Sequence, residues 1–105
     1  MIASEQELAD LIRQIEASDR VALDTEADSL HSYREKLCLL QISAPSAVVA
    51  GRGDDFIVDP LSNLDLQPLR CALEPREIVL HAADYDLRML RRGLNFTASR
   101  VFDTV

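Results

Sequence analysis

In the stretch RVALDTEADSL, residues 20 to 30, the apolar run Val21, Ala22 and Leu23 is followed by Asp24, Glu26 and Asp28 at intervals of two. Side chains two apart on a strand share a face, so Asp24 and Glu26 point the same way. Another acid sits against its surroundings further on. In HAADYDLRMLRRGL, Ala83, Leu87, Leu90 and Leu94 make an apolar stripe at helical spacing, and Asp86 falls on that stripe, whereas Asp84 falls on the other side, four residues before Arg88. A carboxylate on the apolar side of a helix is costly unless it is paired, protonated or bound to metal. Where the strand end and the helix converge, Asp24, Glu26 and Asp86 make an oxygen-only ligand set, which selects Mg²⁺ or Mn²⁺. Two such ions ~4 Å apart activate a water, hold a scissile phosphate and stabilise its leaving oxygen. Each acid also has a plainer explanation: Asp24 as a strand-end turn residue, Asp28 as a loop acid, Asp86 as the partner of an arginine.

The elements that must position these acids are legible from periodicity. Ser4 followed by Glu7 is a capping-box pattern, and Leu8, Leu11, Ile12 and Ile15 recur at helical spacing, which predicts an amphipathic helix over residues 5 to 17. A strand follows over about 20 to 26, then a polar loop, then a second strand in KLCLLQIS whose two faces are both apolar. AVVAGRGDDFIVD reads as two short strands joined by a glycine-containing turn. Asp65 can cap a short helix through Leu66, Leu69, Ala72 and Leu73, with Pro68 tolerated in its first turn. Glu77 to Leu80 is a short strand, and His81 opens a helix running through Arg92 and closed by Gly93 at its C′ position. The final VFDTV reads as the start of another element. The order predicts an α/β domain with a mixed sheet, occupying residues 1–105 as a portion of one domain.

Composition narrows the function classes. The chain has 105 residues, 48% hydrophobic and 28% charged, with a formal net charge of −7, which argues against a broad basic face for nucleic acid. An acidic pocket neutralised by bound metal is not excluded by that charge. Arg88, Arg91 and Arg92 read as a solvated helix face. Cys38 and Cys71 each lie in an apolar context without metal-finger spacing, which predicts buried reduced thiols. No apolar run approaches the ~18 residues of a membrane span and no leader pattern follows Met1, which predicts a cytoplasmic protein without membrane contact.

Taken together, these residues resemble the DEDD superfamily of 3′-5′ exonucleases, in its ribonuclease D-like branch. Asp24-Thr25-Glu26 is similar to the first exonuclease motif at the end of the first strand. The helix opening His81-Ala82-Ala83 and carrying Asp86-Leu87 is similar to the second, with Ala82 where proofreading exonucleases usually carry asparagine. KLCLLQIS and FIVDPL also have the look of that branch. The resemblance implies a ribonuclease H-like mixed sheet, three antiparallel strands then a parallel strand with helices, truncated before its C-terminal helices. It implies two Mg²⁺ or Mn²⁺ ions held by Asp24, Glu26 and Asp86, acting on the 3′ end of single-stranded RNA, with DNA left open, and releasing nucleoside monophosphates. Thr25, Leu30 and His81 would lie at the substrate. Leu30 either stacks on the 3′-terminal base or returns to the core.

The resemblance has one departure. The family's third motif pairs a tyrosine with a metal-ligand aspartate four residues later, and neither Tyr33 nor Tyr85 is followed by Asp at that spacing. Three of four carboxylates predict a polypeptide that is inactive or nearly so by itself. The alternatives are a non-catalytic nucleic-acid or protein interaction module that keeps the fold, and a Mg²⁺-dependent phosphohydrolase using Asp24 as nucleophile. The sequence leaves the oligomeric state open.

Overall fold

The computed structural model describes residues 1–28, 36–45, 53–81 and 83–104. In chain order the elements are α1 (Glu5–Glu16), β1 (Arg20–Asp28), β2 (Lys36–Pro45), β3 (Gly53–Val58), α2 (Gln67–Leu73), β4 (Glu77–Leu80), α3 (Ala83–Leu94) and β5 (Arg100–Asp103). The five strands form one sheet in the order β3-β2-β1-β4-β5. β1 pairs antiparallel with β2 and parallel with β4, β2 pairs antiparallel with β3, and β5 pairs parallel with β4. The mixed α/β sheet expected from the element order is therefore present, with β1 at its centre. Of the closing VFDTV, Val101, Phe102 and Asp103 belong to a fifth, parallel strand. No helix among the described residues is long and apolar enough to cross a membrane.

Helix α1 begins where its capping residues dictate. Ser4 is extended and its hydroxyl accepts the Glu7 N–H at 3.1 Å, while the Glu7 carboxylate accepts the Ala3 N–H at 3.3 Å. Its apolar stripe of Leu8, Leu11 and Ile15 is buried against the sheet core. Asp65 acts one position earlier than expected, since Leu66 is the N-cap of α2 and the Asp65 carboxylate accepts the Gln67 N–H at 3.1 Å. Leu69, Ala72 and Leu73 turn inward from α2, which puts Cys71 on the opposite, exposed side. The expectation of a buried thiol there fails because the helical period outweighs the apolar neighbours. The expectations for the Cys38 side chain and for the turn within AVVAGRG lie outside the described residues; Gly53 and Asp54 are paired strand residues of β3.

Two further differences concern the elements flanking the site. β2 alternates more clearly than its composition suggests: Leu40, Ile42 and Ala44 are buried, while Gln41 is exposed on the other face. Helix α3 continues past Gly93 to Leu94, and the left-handed residue that ends it is Asn95, with φ 53°. That turn lets the Phe96 N–H reach back to the Leu90 carbonyl at 3.2 Å and carries the Phe96 ring into the core.

Candidate active site

Strand β1 is the element on which the site depends, and its alternation sorts its side chains into two sets. Val21, Leu23 and Thr25 face the core and are buried, while Asp24 and Glu26 face the other way and are exposed. Across the sheet Asp24 pairs with Gln41, Glu26 with Leu39, and Gln41 with Ile57. Those five side chains line one small hollow on the outer face of the sheet. The register of β1 against β2 shifts between Glu26 and Ala27, a bulge of the kind that ends pairing and re-aims side chains beside active sites. Asp24 and Glu26 thus share a face, as their spacing dictates. The Asp24 carboxylate also accepts the Thr25 N–H at 3.0 Å.

On the core side, helix α3 crosses the same end of β1. Asp86 is only 4% exposed, and its carboxylate accepts the Thr25 hydroxyl at 2.5 Å. Burial is the main force on this group and raises its pKa above the ordinary carboxylate value. The Thr25 hydrogen bond works against that rise, the charge of Asp24 adds to it, His81 lowers it and Asp103 raises it. Asp86 therefore lies on the buried face, as the stripe predicts. The buried side of α3 runs through Asp86, Met89 and Leu90, with Leu87 and Leu94 only partly covered. The stripe is rotated toward Met89, a residue that the sequence reading passed over.

The structure brings Asp24 within electrostatic reach of Asp86 and holds Glu26 beside Asp24 on the outer face. Among the described residues, no group of three or more His, Cys, Asp or Glu side chains is gathered to hold a metal ion. The donors nevertheless fit a hard divalent cation in kind, being carboxylate oxygens only. Asp86 fits it in electrostatics as well, because a carboxylate removed from water is one that an adjacent cation relieves. The Thr25 side chain is turned inward to Asp86. The hydrogen bond to Asp86 is the feature that sequence reasoning missed. His81 is exposed, with Nδ1 3.1 Å from the Thr104 hydroxyl, at the end of β4 next to β5. Leu30 lies outside the described residues.

Known proteins resemble this chain in sequence and in fold. A family model described as 3′-5′ exonuclease matches residues 1–105. The chain is 34% identical over 107 residues to ribonuclease D of Psychromonas ingrahamii, covering 99% of this chain and 26% of that protein. Among solved structures, Escherichia coli RNase D, an exoribonuclease involved in structured RNA processing, superposes with a TM-score of 0.79 at 28% identity, over 99% of this chain and 26% of that one. NrnC of Brucella melitensis with bound Mg²⁺ superposes with a TM-score of 0.61 at 27% identity, over 83% of this chain and 42% of that one. The chain thus spans about a quarter of the length of its ribonuclease D relatives.

Proposed function

Because the chain belongs to the 3′-5′ exonuclease family, we propose that it supplies three carboxylates of a ribonuclease D-type site that removes nucleoside monophosphates from the 3′ end of single-stranded RNA. The observation that carries this reading is the exposed pair Asp24 and Glu26 at the bulged end of the central strand, with buried Asp86 within electrostatic reach of Asp24. Asp24, Glu26 and Asp86 would hold Mg²⁺ or Mn²⁺, two ions in a complete site, in keeping with the Mg²⁺ of NrnC. When bound, the metal supplies an activated water and positive charge for the leaving oxygen.

The chain's own groups account for the rest. Thr25 keeps the Asp86 carboxylate fixed against β1, so the two motifs hold a set distance although they lie far apart in sequence. Leu39 and Ile57 give the hollow an apolar side next to the exposed Asp24 and Glu26. By the family resemblance Leu30 would either stack on the terminal base, a contact indifferent to base identity, or return to the core, and His81 would contact the strand.

Asp24→Asn in the full reading frame that encodes these residues is expected to leave the fold intact and nearly abolish release of monophosphates from an RNA 3′ end. Turnover like that of the wild type would sink the assignment. The 105 residues contain no Tyr-x-x-x-Asp pair, so as an isolated polypeptide they are expected to show no exonuclease activity with Mg²⁺. A second reading is a non-catalytic nucleic-acid or protein interaction module that keeps the fold. It is distinguished by RNA or protein binding that is indifferent to chelation of divalent ions.

A further inference from the structure

At the far end of α3 from Asp86, the segment from Pro60 to Gln67, helix α2 and the turn Gly93 to Asn95 line a wide-open surface cavity of about 590 Å³. It shares no residue with the hollow around Asp24 and Glu26. Asp86 and Arg92 are separated along the helix axis by ~9 Å at the helical rise. A volume of this size falls within the ~300 to 1,000 Å³ of small-molecule sites, more than a bare ion needs.

The lining is chemically two-sided. Leu64, Leu66 and Leu94, all packed against the core, offer apolar walls, while Arg70 and Arg92 offer guanidinium groups. Arg70 is half-buried: Nη1 donates to the Asn95 carbonyl at 3.4 Å, and Nε is shut off from solvent with no hydrogen-bond partner. Neither arginine is within ion-pair distance of a carboxylate among the described residues. Asp65 lines the same cavity, and its carboxylate accepts the Gln67 backbone N–H.

Two guanidinium groups thus line one cavity in a chain of net charge −7, with Asp65 the acid beside them. Arg70 Nε is closed to solvent, so the groups that can meet a ligand are the terminal guanidinium nitrogens of Arg70 and Arg92. Guanidinium forks match the oxygens of phosphate in geometry and charge. Apolar walls beside them suit a sugar and base. We propose that this cavity binds the phosphate group of a nucleotide, held by Arg70 and Arg92, with the nucleoside against Leu64, Leu66 and Leu94. The phosphate belongs either to a free nucleotide or to a residue within a strand.

The test is a side-chain and backbone ¹H–¹⁵N NMR titration of the 105-residue chain, at fixed ionic strength, with inorganic phosphate, adenosine 5′-monophosphate, adenosine and a short oligoadenylate. Phosphate and the monophosphate are expected to shift the Arg70 and Arg92 guanidinium signals, the monophosphate at lower concentration, and adenosine to leave them in place. Arg92→Gln, at an exposed position that the fold does not need, is expected to weaken the monophosphate about tenfold, the loss of one charge-assisted contact. Arg70→Lys keeps the charge but loses the fork, and is expected to weaken it as well. Tighter binding of the oligoadenylate than of the monophosphate assigns the site to a strand, and the reverse order assigns it to a free nucleotide. The proposal is overturned if chloride produces the same shifts, if adenosine binds as well as its monophosphate, or if Arg92→Gln binds like the wild type.

Discussion

Replacing Thr25 by valine removes one hydroxyl and leaves the branched shape of the side chain in place. The hydroxyl's partner is Asp86, 4% exposed, at a donor–acceptor distance of 2.5 Å, and Thr25 itself is only 9% exposed, so water has little room to take over. A hydrogen bond to a charged group contributes about 1.5 to 3 kcal/mol. At about 4 °C per kcal/mol for a domain of this size, the valine variant is expected to melt about 6 to 12 °C lower at neutral pH. The pH dependence separates charge from packing. Burial holds the pKa of Asp86 above its unfolded value and the Thr25 bond limits that rise, so removing the hydroxyl moves it further up. A carboxylate whose folded pKa is raised makes the fold lose stability as pH rises through that pKa, and the valine variant loses more. The deficit is therefore largest at neutral pH and narrows on acidification toward the ordinary carboxylate value of about 4. Thermal melts followed by circular dichroism across that range measure it, with Thr25→Ser, which keeps the donor, recovering most of the loss. A deficit that stays constant with pH, or none at all, refutes the view that the hydroxyl serves the Asp86 charge.

Asp86→Asn removes the desolvated charge and keeps an acceptor for Thr25. It is expected to melt above the wild type at neutral pH, with the advantage gone below the unfolded carboxylate value of 3.8, and equal melting at neutral pH would contradict the burial argument. Phe96 is 1% exposed beyond the left-handed turn at Asn95, so Phe96→Ala is expected to cost about 3 to 5 kcal/mol in a denaturant titration. A loss under about 1 kcal/mol would place that ring outside the core. Cys71 is exposed on the outer side of α2, so a chromogenic disulfide reagent is expected to modify it in the folded protein at the rate of a free thiol, and protection until denaturation would contradict its placement.

The parts of the site that follow from local periodicity were legible in the sequence. A repeat of two put Asp24 and Glu26 on one face, and a repeat near 3.6 put Asp86 on the apolar side of its helix, because those periods are properties of the backbone itself. Thr25 was not legible in the same way. Alternation turns it away from the two acids, but nothing local says that helix α3 crosses over it, and the hydrogen bond is made by tertiary placement. Cys71 was misread for the opposite reason: the helical phase of Leu69, Ala72 and Leu73 already put it outside, and the apolar neighbours in sequence drew attention from that phase. The end of α3 was misplaced by two residues because glycine favours a left-handed position without requiring one, and Asn95 takes it instead. The cavity around Arg70 and Arg92 joins two segments distant in sequence, and no local pattern announces it.

The two partners of β1 imply an order of assembly. Ala22 pairs with Ser43 on one side and with Val79 on the other. The antiparallel side closes a much shorter loop than the parallel side, and the entropy of closure and the rate of contact formation both favour the shorter one. Strands β1, β2 and β3 can therefore zip together while β4, α3 and β5 are still searching for the open edge of β1. Asp24 and Glu26 lie in the early part and Asp86 in the late part. Docking of β4 and α3 is the event that brings the acids of the two parts within reach, so the nascent chain carries no assembled carboxylate site until β4 has paired with β1.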